Sequence, residues 1–185
     1  MAIRWDSVLV RDLARELDIE LVGSRLRAIR LDARTRDVVL FFRKKTLLWR
    51  LHPERSGIWM RDCVEPQPGD PRIRAQVRNV KSIDDERILV VELRSNRARG
   101  GPWALVIELL GNRMNAIMTE GSERTIKHIL RTQGGSRNLR VGQAWSPPKS
   151  TGRLWVDGIA SESDWQDLLA PVPPTERQRE LLSNV

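Results

Sequence analysis

From residue 26 to residue 129 the chain consists of short apolar stretches separated by turn-forming residues. Strands so short and evenly spaced pair most readily with their neighbours in sequence. The pattern therefore confines this region to antiparallel sheet, in a sandwich or a flattened barrel. The expected strands cover 26–29, 38–42, 47–51, 58–60, 73–83, 87–93, 103–110, 115–119 and 125–129. Arg43-Lys44-Lys45 joins two of them and reads as a hairpin connection. Glu65-Pro66-Gln67-Pro68-Gly69-Asp70-Pro71 breaks the run, because proline lacks the amide that a strand ladder needs.

A single helix precedes the strands. Val8, Leu9, Leu13 and Leu17 form an apolar stripe at the helical period, with Arg11, Asp12, Arg15 and Glu16 between them. Asp6 is placed to cap this helix and Gly23 to end it. Beyond Pro147-Pro148-Lys149-Ser150, residues 155–170 carry a helical pattern around Trp165, Leu168 and Leu169, and Thr175 opens another. The expected fold class is α+β. An N-terminal helix and an antiparallel β-sandwich or flattened barrel fill residues 1–153. Residues 154–185 form a short helical tail, read as the truncated start of a further domain.

The 185 residues carry 32 Lys and Arg against 24 Asp and Glu, a net charge of +8. Residues 154–185 are net negative, which leaves +12 on residues 1–153. Arginine outnumbers lysine, and its planar, forked donors suit phosphate and stack on bases. The charge pattern points to a polyanionic partner, nucleic acid. Arg94-Ser-Asn-Arg97-Ala-Arg99-Gly-Gly101 places three guanidinium groups and flexible glycines between two strands, as a loop that follows a phosphate backbone would. Arg113, Lys127, Arg131, Arg137 and Arg140 extend this basic tract.

Catalytic chemistry is poorly supplied. A lone Cys63 excludes an internal disulfide and a cysteine-based zinc site. His52 and His128 lack motif partners, and no phosphate loop, nucleophile elbow, zinc-protease motif or dinucleotide glycine pattern occurs. Adjacent Asp84, Asp85 and Glu86 cannot all converge on one metal ion. No apolar run is long enough to span a bilayer, and no apolar leader follows the basic start. These features predict a cytoplasmic binding protein with no cofactor, no membrane partner and no small-molecule substrate.

Six local patterns, read in order, carry a resemblance. They are Trp5-Asp6 with the leucine-rich helix, Leu21-Val-Gly23-Ser-Arg-Leu26, Leu51-His52-Pro53, and Glu86-Arg87 at a strand start. Glu108-Leu-Leu-Gly111 with Asn115, and Gly142-Gln-Ala-Trp145-Ser-Pro147-Pro148, complete the set. Together they resemble the NFACT N-terminal domain of ribosome quality-control factors of the RqcH/NEMF type, also called fibronectin-binding protein A homologues. The resemblance implies a fold similar to the N-terminal part of formamidopyrimidine DNA glycosylases. It implies binding of tRNA and of the large ribosomal subunit carrying a stalled peptidyl-tRNA, in support of tailing without mRNA. Peptide bonds would then be made by the ribosome, and the protein need not be an enzyme.

The resemblance also implies site residues. Asp6 matches a functional aspartate in the first helix, and Glu86-Arg87 matches an Asp-Arg pair needed for tailing. With Arg94, Arg97, Arg99 and Arg113 these form the expected nucleic-acid-binding set. Three departures stand out: Glu86 is one methylene longer than aspartate, residues 71–78 are too short for the family's basic helix, and the 185 residues themselves contain no coiled-coil pattern. A DNA glycosylase is the enzymatic alternative, but Ala2-Ile3 after Met1 supplies no N-terminal proline nucleophile. A fibronectin-binding adhesin is the third reading.

Overall fold

The computed structural model describes residues 3–83, 86–95, 101–135 and 137–148. The expected tail helices, together with Asp84, Asp85, Arg97 and Arg99, lie outside the described residues.

Helix α1 spans Ser7–Leu21, and Asp6 caps it: the Asp6 carboxylate accepts a hydrogen bond from Leu9 N–H at 2.7 Å. Gly23, just past the end, takes φ +80°, a conformation that side-chain-bearing residues rarely adopt. The buried stripe is Val10, Ala14, Leu17 and Leu21, whereas Val8 and Leu9 face solvent. This corrects the expected stripe, of which Leu17 alone is buried and Leu13 lies at its margin. Two stripes at helical spacing coexist in this segment, and packing against the sheet selects between them. The Asp18 carboxylate fastens the helix by accepting from Val80 N–H at 2.6 Å. Trp5, just before the helix, packs on Trp49 with ring centroids 6.1 Å apart.

Nine antiparallel strands follow among the described residues: β1 (Arg25–Asp32), β2 (Asp37–Phe42), β3 (Lys45–Arg50), β4 (Gly57–Asp62), β5 (Arg72–Ser82), β6 (Ile88–Ser95), β7 (Trp103–Glu108), β8 (Asn115–Glu120) and β9 (Thr125–Ile129). Each expected strand is present, and the Arg43-Lys44 connection is a hairpin turn with Lys45 already in β3. The strands form one continuous sheet in the order β4-β3-β2-β1-β5-β6-β7-β8-β9 rather than two separate sheets. The join is β1 with β5, through Leu26 opposite Ala75 and Arg25 opposite Gln76. That pairing skips three strands, so local hairpin logic does not reveal it.

One face of the sheet and helix α1 enclose the main core. Leu26, Leu40 and Trp49 from the first half join Val77, Leu89, Leu105 and Met118 from the second in a single buried cluster. Strands β6 to β8 are buried on the other face as well, where Ile88, Val90, Val106 and Ile117 pack under Ile126, Leu139 and Trp145. This double burial explains their nearly unbroken apolar sequences. The proline-rich segment crosses the same outer face of the first half. It is fastened by Glu65 to Arg27 (2.7 and 2.6 Å) and by Asp70 to Arg30 (2.8 and 2.7 Å).

Candidate nucleic-acid interface

Strand β5 alternates between the two environments. Ile73, Ala75, Val77 and Val80 enter the core, while Arg72, Arg74 and Arg78 are exposed on the outer face. Directly opposite residues in antiparallel strands share a face, so Arg94 and Arg25, both opposite Gln76, extend this surface sideways across β6 and β1. Arg27, Arg30, Arg50 and Arg137 are tied to carboxylates. Arg74, Arg78 and Arg94 carry no carboxylate partner among the described residues. Arg72 and Arg74 stand about 7 Å apart along β5 and Arg78 about 13 Å further on, and with Arg94 on the neighbouring strand they form a charge array suited to a phosphate backbone.

At one end this surface sinks into a groove of about 900 Å³. Gln76, Arg78, Glu92, Arg94, Trp103 and Arg124 are among its lining residues. It opens where the cover over the outer face stops. Arg124 marks that margin, its guanidinium 5.1 Å from the Trp145 ring centroid. Gly101-Pro102 and the β8–β9 turn line the rim and are tied to each other by Gly121 N–H donating to Pro102 O at 2.8 Å. A hydrogen bond from Lys81 (2.6 Å) holds the Glu92 carboxyl below its ordinary range, so the groove keeps one negative charge at neutral pH among its arginines. The groove thus combines cationic side chains, an aromatic ring and one anionic acceptor.

The expected site residues do not gather in one place. Arg94 lines the groove. Arg97 and Arg99 lie outside the described residues. Glu86, Arg87 and Arg113 sit at the other end of the sheet, about 23 Å from Arg94 by the rise along β6. Glu86 N–H donates to Ile83 O at 2.9 Å, Arg87 O accepts from Leu109 N–H at 2.8 Å, and Arg113 ends a short 3₁₀ turn, Gly111–Arg113. Asp6 is occupied as a helix cap. Asp6→Ala is therefore expected to cost about 1 kcal/mol in urea unfolding. Asp6→Asn retains a capping acceptor, and loss of RNA affinity in that variant alone would isolate a functional role for the carboxylate.

Two motif elements prove structural. Glu108 is fully buried and opposite Asn115. Its carboxylate accepts from Arg137 (2.6 and 3.1 Å) and from the Trp145 indole N–H (2.9 Å). The Asn115 side chain holds the backbone of Arg131: its Nδ2 donates to Arg131 O at 2.8 Å and its Oδ1 accepts from Arg131 N–H at 3.0 Å. Arg137 accordingly leaves the expected basic tract, because its charge is consumed by Glu108, and Lys127 is paired with Glu120 at 3.1 Å. The β5 arginines lie outside the expected nucleic-acid-binding set, although residues 73–83 are an expected strand. Their signal was the strict basic–apolar alternation Arg72-Ile73-Arg74-Ala75, which is a strand pattern.

The family described as NFACT N-terminal and middle domains matches this chain over residues 6–185. The chain belongs to this family. The NFACT chain is similar in fold to the N-terminal domain of the fibronectin-binding protein PavA from Streptococcus pneumoniae. Identity is 19% and the TM-score 0.73, over 98% of this chain and 74% of that one. It is also similar to the N-terminal part of the fibronectin/fibrinogen-binding protein from Streptococcus suis (20% identity, TM-score 0.71, 90% and 69% covered). A third neighbour is the fibrinogen-binding protein from Staphylococcus aureus (16% identity, TM-score 0.63, 81% and 58% covered). No curated protein sequence matches the NFACT chain. Among the described residues, no helix is long and apolar enough to cross a membrane.

Proposed function

We propose that this NFACT domain is an RNA-binding module of a ribosome quality-control factor, facing tRNA and the large ribosomal subunit in the cytoplasm. It would bind rather than catalyse, with peptide bonds made by the ribosome during tailing. The observation that carries the reading is the β5 face, where Arg74 and Arg78 stand beside Arg94 and run into the groove with Trp103 and Arg124. Family membership supports the translational setting. Glu86 and Arg87 in the β5–β6 connection and Arg113 in the β7–β8 turn supply a second basic surface at the other end of the sheet, suited to a ligand that spans both.

A filter-binding titration with tRNA tests this. Affinity is expected to fall linearly in log–log form as salt rises, since bound phosphates release counterions. Arg87→Ala, and separately a combined Arg94, Arg97 and Arg99 substitution by alanine, are expected to weaken binding while the circular dichroism spectrum stays unchanged. Unaltered affinity in both variants rejects the assignment.

The names of the structural neighbours favour a second reading, binding of fibronectin. Immobilised fibronectin in the same buffer decides it: saturable capture with no tRNA binding would replace the RNA reading.

A further inference from the structure

Trp59, on the edge strand β4, is 41% exposed and lies outside both basic surfaces described above. It shares the outer face with half-buried Leu48, directly opposite on β3, because Leu47 and Trp49 point into the core. Its six-membered ring lies over Gly57. A Cβ at that position would come within 2.5 Å of Cη2 and 2.6 Å of Cζ2. The absent side chain lets the indole lie flat along its own strand with one face to solvent.

Arginines flank the ring. The Arg50 guanidinium is 6.0 Å from the ring centroid. It is held by Asp37, to which Nε donates at 2.7 Å and Nη2 at 3.0 Å, so that Nη1 stays outside the pair. Arg61 lies two residues along the same strand, on the same face and about 7 Å further on. It is exposed and carries no carboxylate partner among the described residues.

We propose that Trp59, with Arg50 and Arg61, is a stacking station for an unpaired nucleotide of single-stranded RNA, the base lying on the indole and the phosphate at Arg61. The proposal rests on the RNA-binding reading and adds to it a preference for unpaired bases. The rim of the platform selects the occupant. An apolar protein surface laid over this ring would desolvate Arg61 without offering it a counter-charge, which is costly. A nucleotide supplies an aromatic face and an anion at once, and stacking of this kind tolerates any base. The platform also lies on the sheet face that carries the β5 arginines, so a single strand contacting both stays on one side of the protein.

The test titrates a single-stranded uridine oligomer and an RNA duplex of equal length. Trp59→Ala is expected to bind the single strand about tenfold more weakly, the effect of losing one stacked base, and the duplex as before. Trp59→Phe retains an aromatic face and recovers part of the loss. Gly57→Ala keeps the indole but tips it off the strand, and falls between wild type and Trp59→Ala. Single-strand affinity unchanged in Trp59→Ala, while substitution of Arg74, Arg78 and Arg94 weakens it, overturns the platform and leaves the RNA reading standing. Absence of binding to either RNA by the wild-type protein overturns the RNA reading itself. A concentration-dependent dimer in sedimentation that Trp59→Ala abolishes identifies a second copy of the chain as the occupant and likewise overturns the proposal.

Discussion

Glu108→Ala is expected to lower the unfolding free energy by about 3–5 kcal/mol. The Glu108 carboxylate is buried and holds both the Arg137 guanidinium and the Trp145 indole N–H. Removing it leaves Arg137, whose side chain is only 20% exposed, without a counter-charge, and leaves a buried donor unpaired. It also frees the segment that covers Ile88, Val90 and Val106 on the outer face. A domain of this size has a total stability of about 5–15 kcal/mol, so the loss is a large fraction of what holds it folded. Urea unfolding followed by tryptophan fluorescence measures it. Glu108→Gln keeps the volume and an acceptor for Trp145 but loses the charge, and is expected to fall between wild type and alanine. A change below about 1 kcal/mol for Glu108→Ala would show that Arg137 and the Trp145 indole N–H reach water once the carboxylate is gone.

Combined substitution of Arg72, Arg74 and Arg78 by alanine is expected to weaken RNA binding roughly ten- to hundredfold at low salt. It should also make the slope of log affinity against log salt shallower by about 2, the share of three phosphate contacts on a single strand. The intervening Ile73, Ala75 and Val77 hold β5 in the core, so the exposed side chains can be removed with little change in stability. The corresponding triple lysine variant keeps the charge but loses the planar, forked donors. It is expected to retain the salt slope while losing part of the affinity. An unchanged slope in the alanine variant would place the phosphate contacts elsewhere, with Glu86 and Arg87 before β6 and Arg113 after β7 as the remaining surface.

These two variants separate residues that look alike in sequence. Arg78 and Arg137 are both arginines in a basic tract, yet one is exposed at a groove and the other is spent on a buried glutamate. Nothing local distinguishes them, because Arg137 meets Glu108 across 29 residues of chain. The family pattern around Glu108 and Asn115 was legible, but its meaning was not. Their positions are set by the packing of the 130–148 segment on the sheet rather than by a ligand. For β5 the information was present in the sequence: alternation with period two marked Arg72, Arg74 and Arg78 as one face.

What the sequence by itself determined is local. Hydrophobic period and turn chemistry act over a few residues, and they were enough to place α1, its Asp6 cap and all nine strands, and to put the excess positive charge in the first 153 residues. The tertiary structure alone decided which helix stripe is buried, that β1 pairs with β5 to make one sheet, and which arginines remain free. Each of those depends on contacts between residues far apart in the chain. Such contacts are settled by the competition to bury apolar surface and to pair every buried charge, and no short stretch of sequence contains both partners.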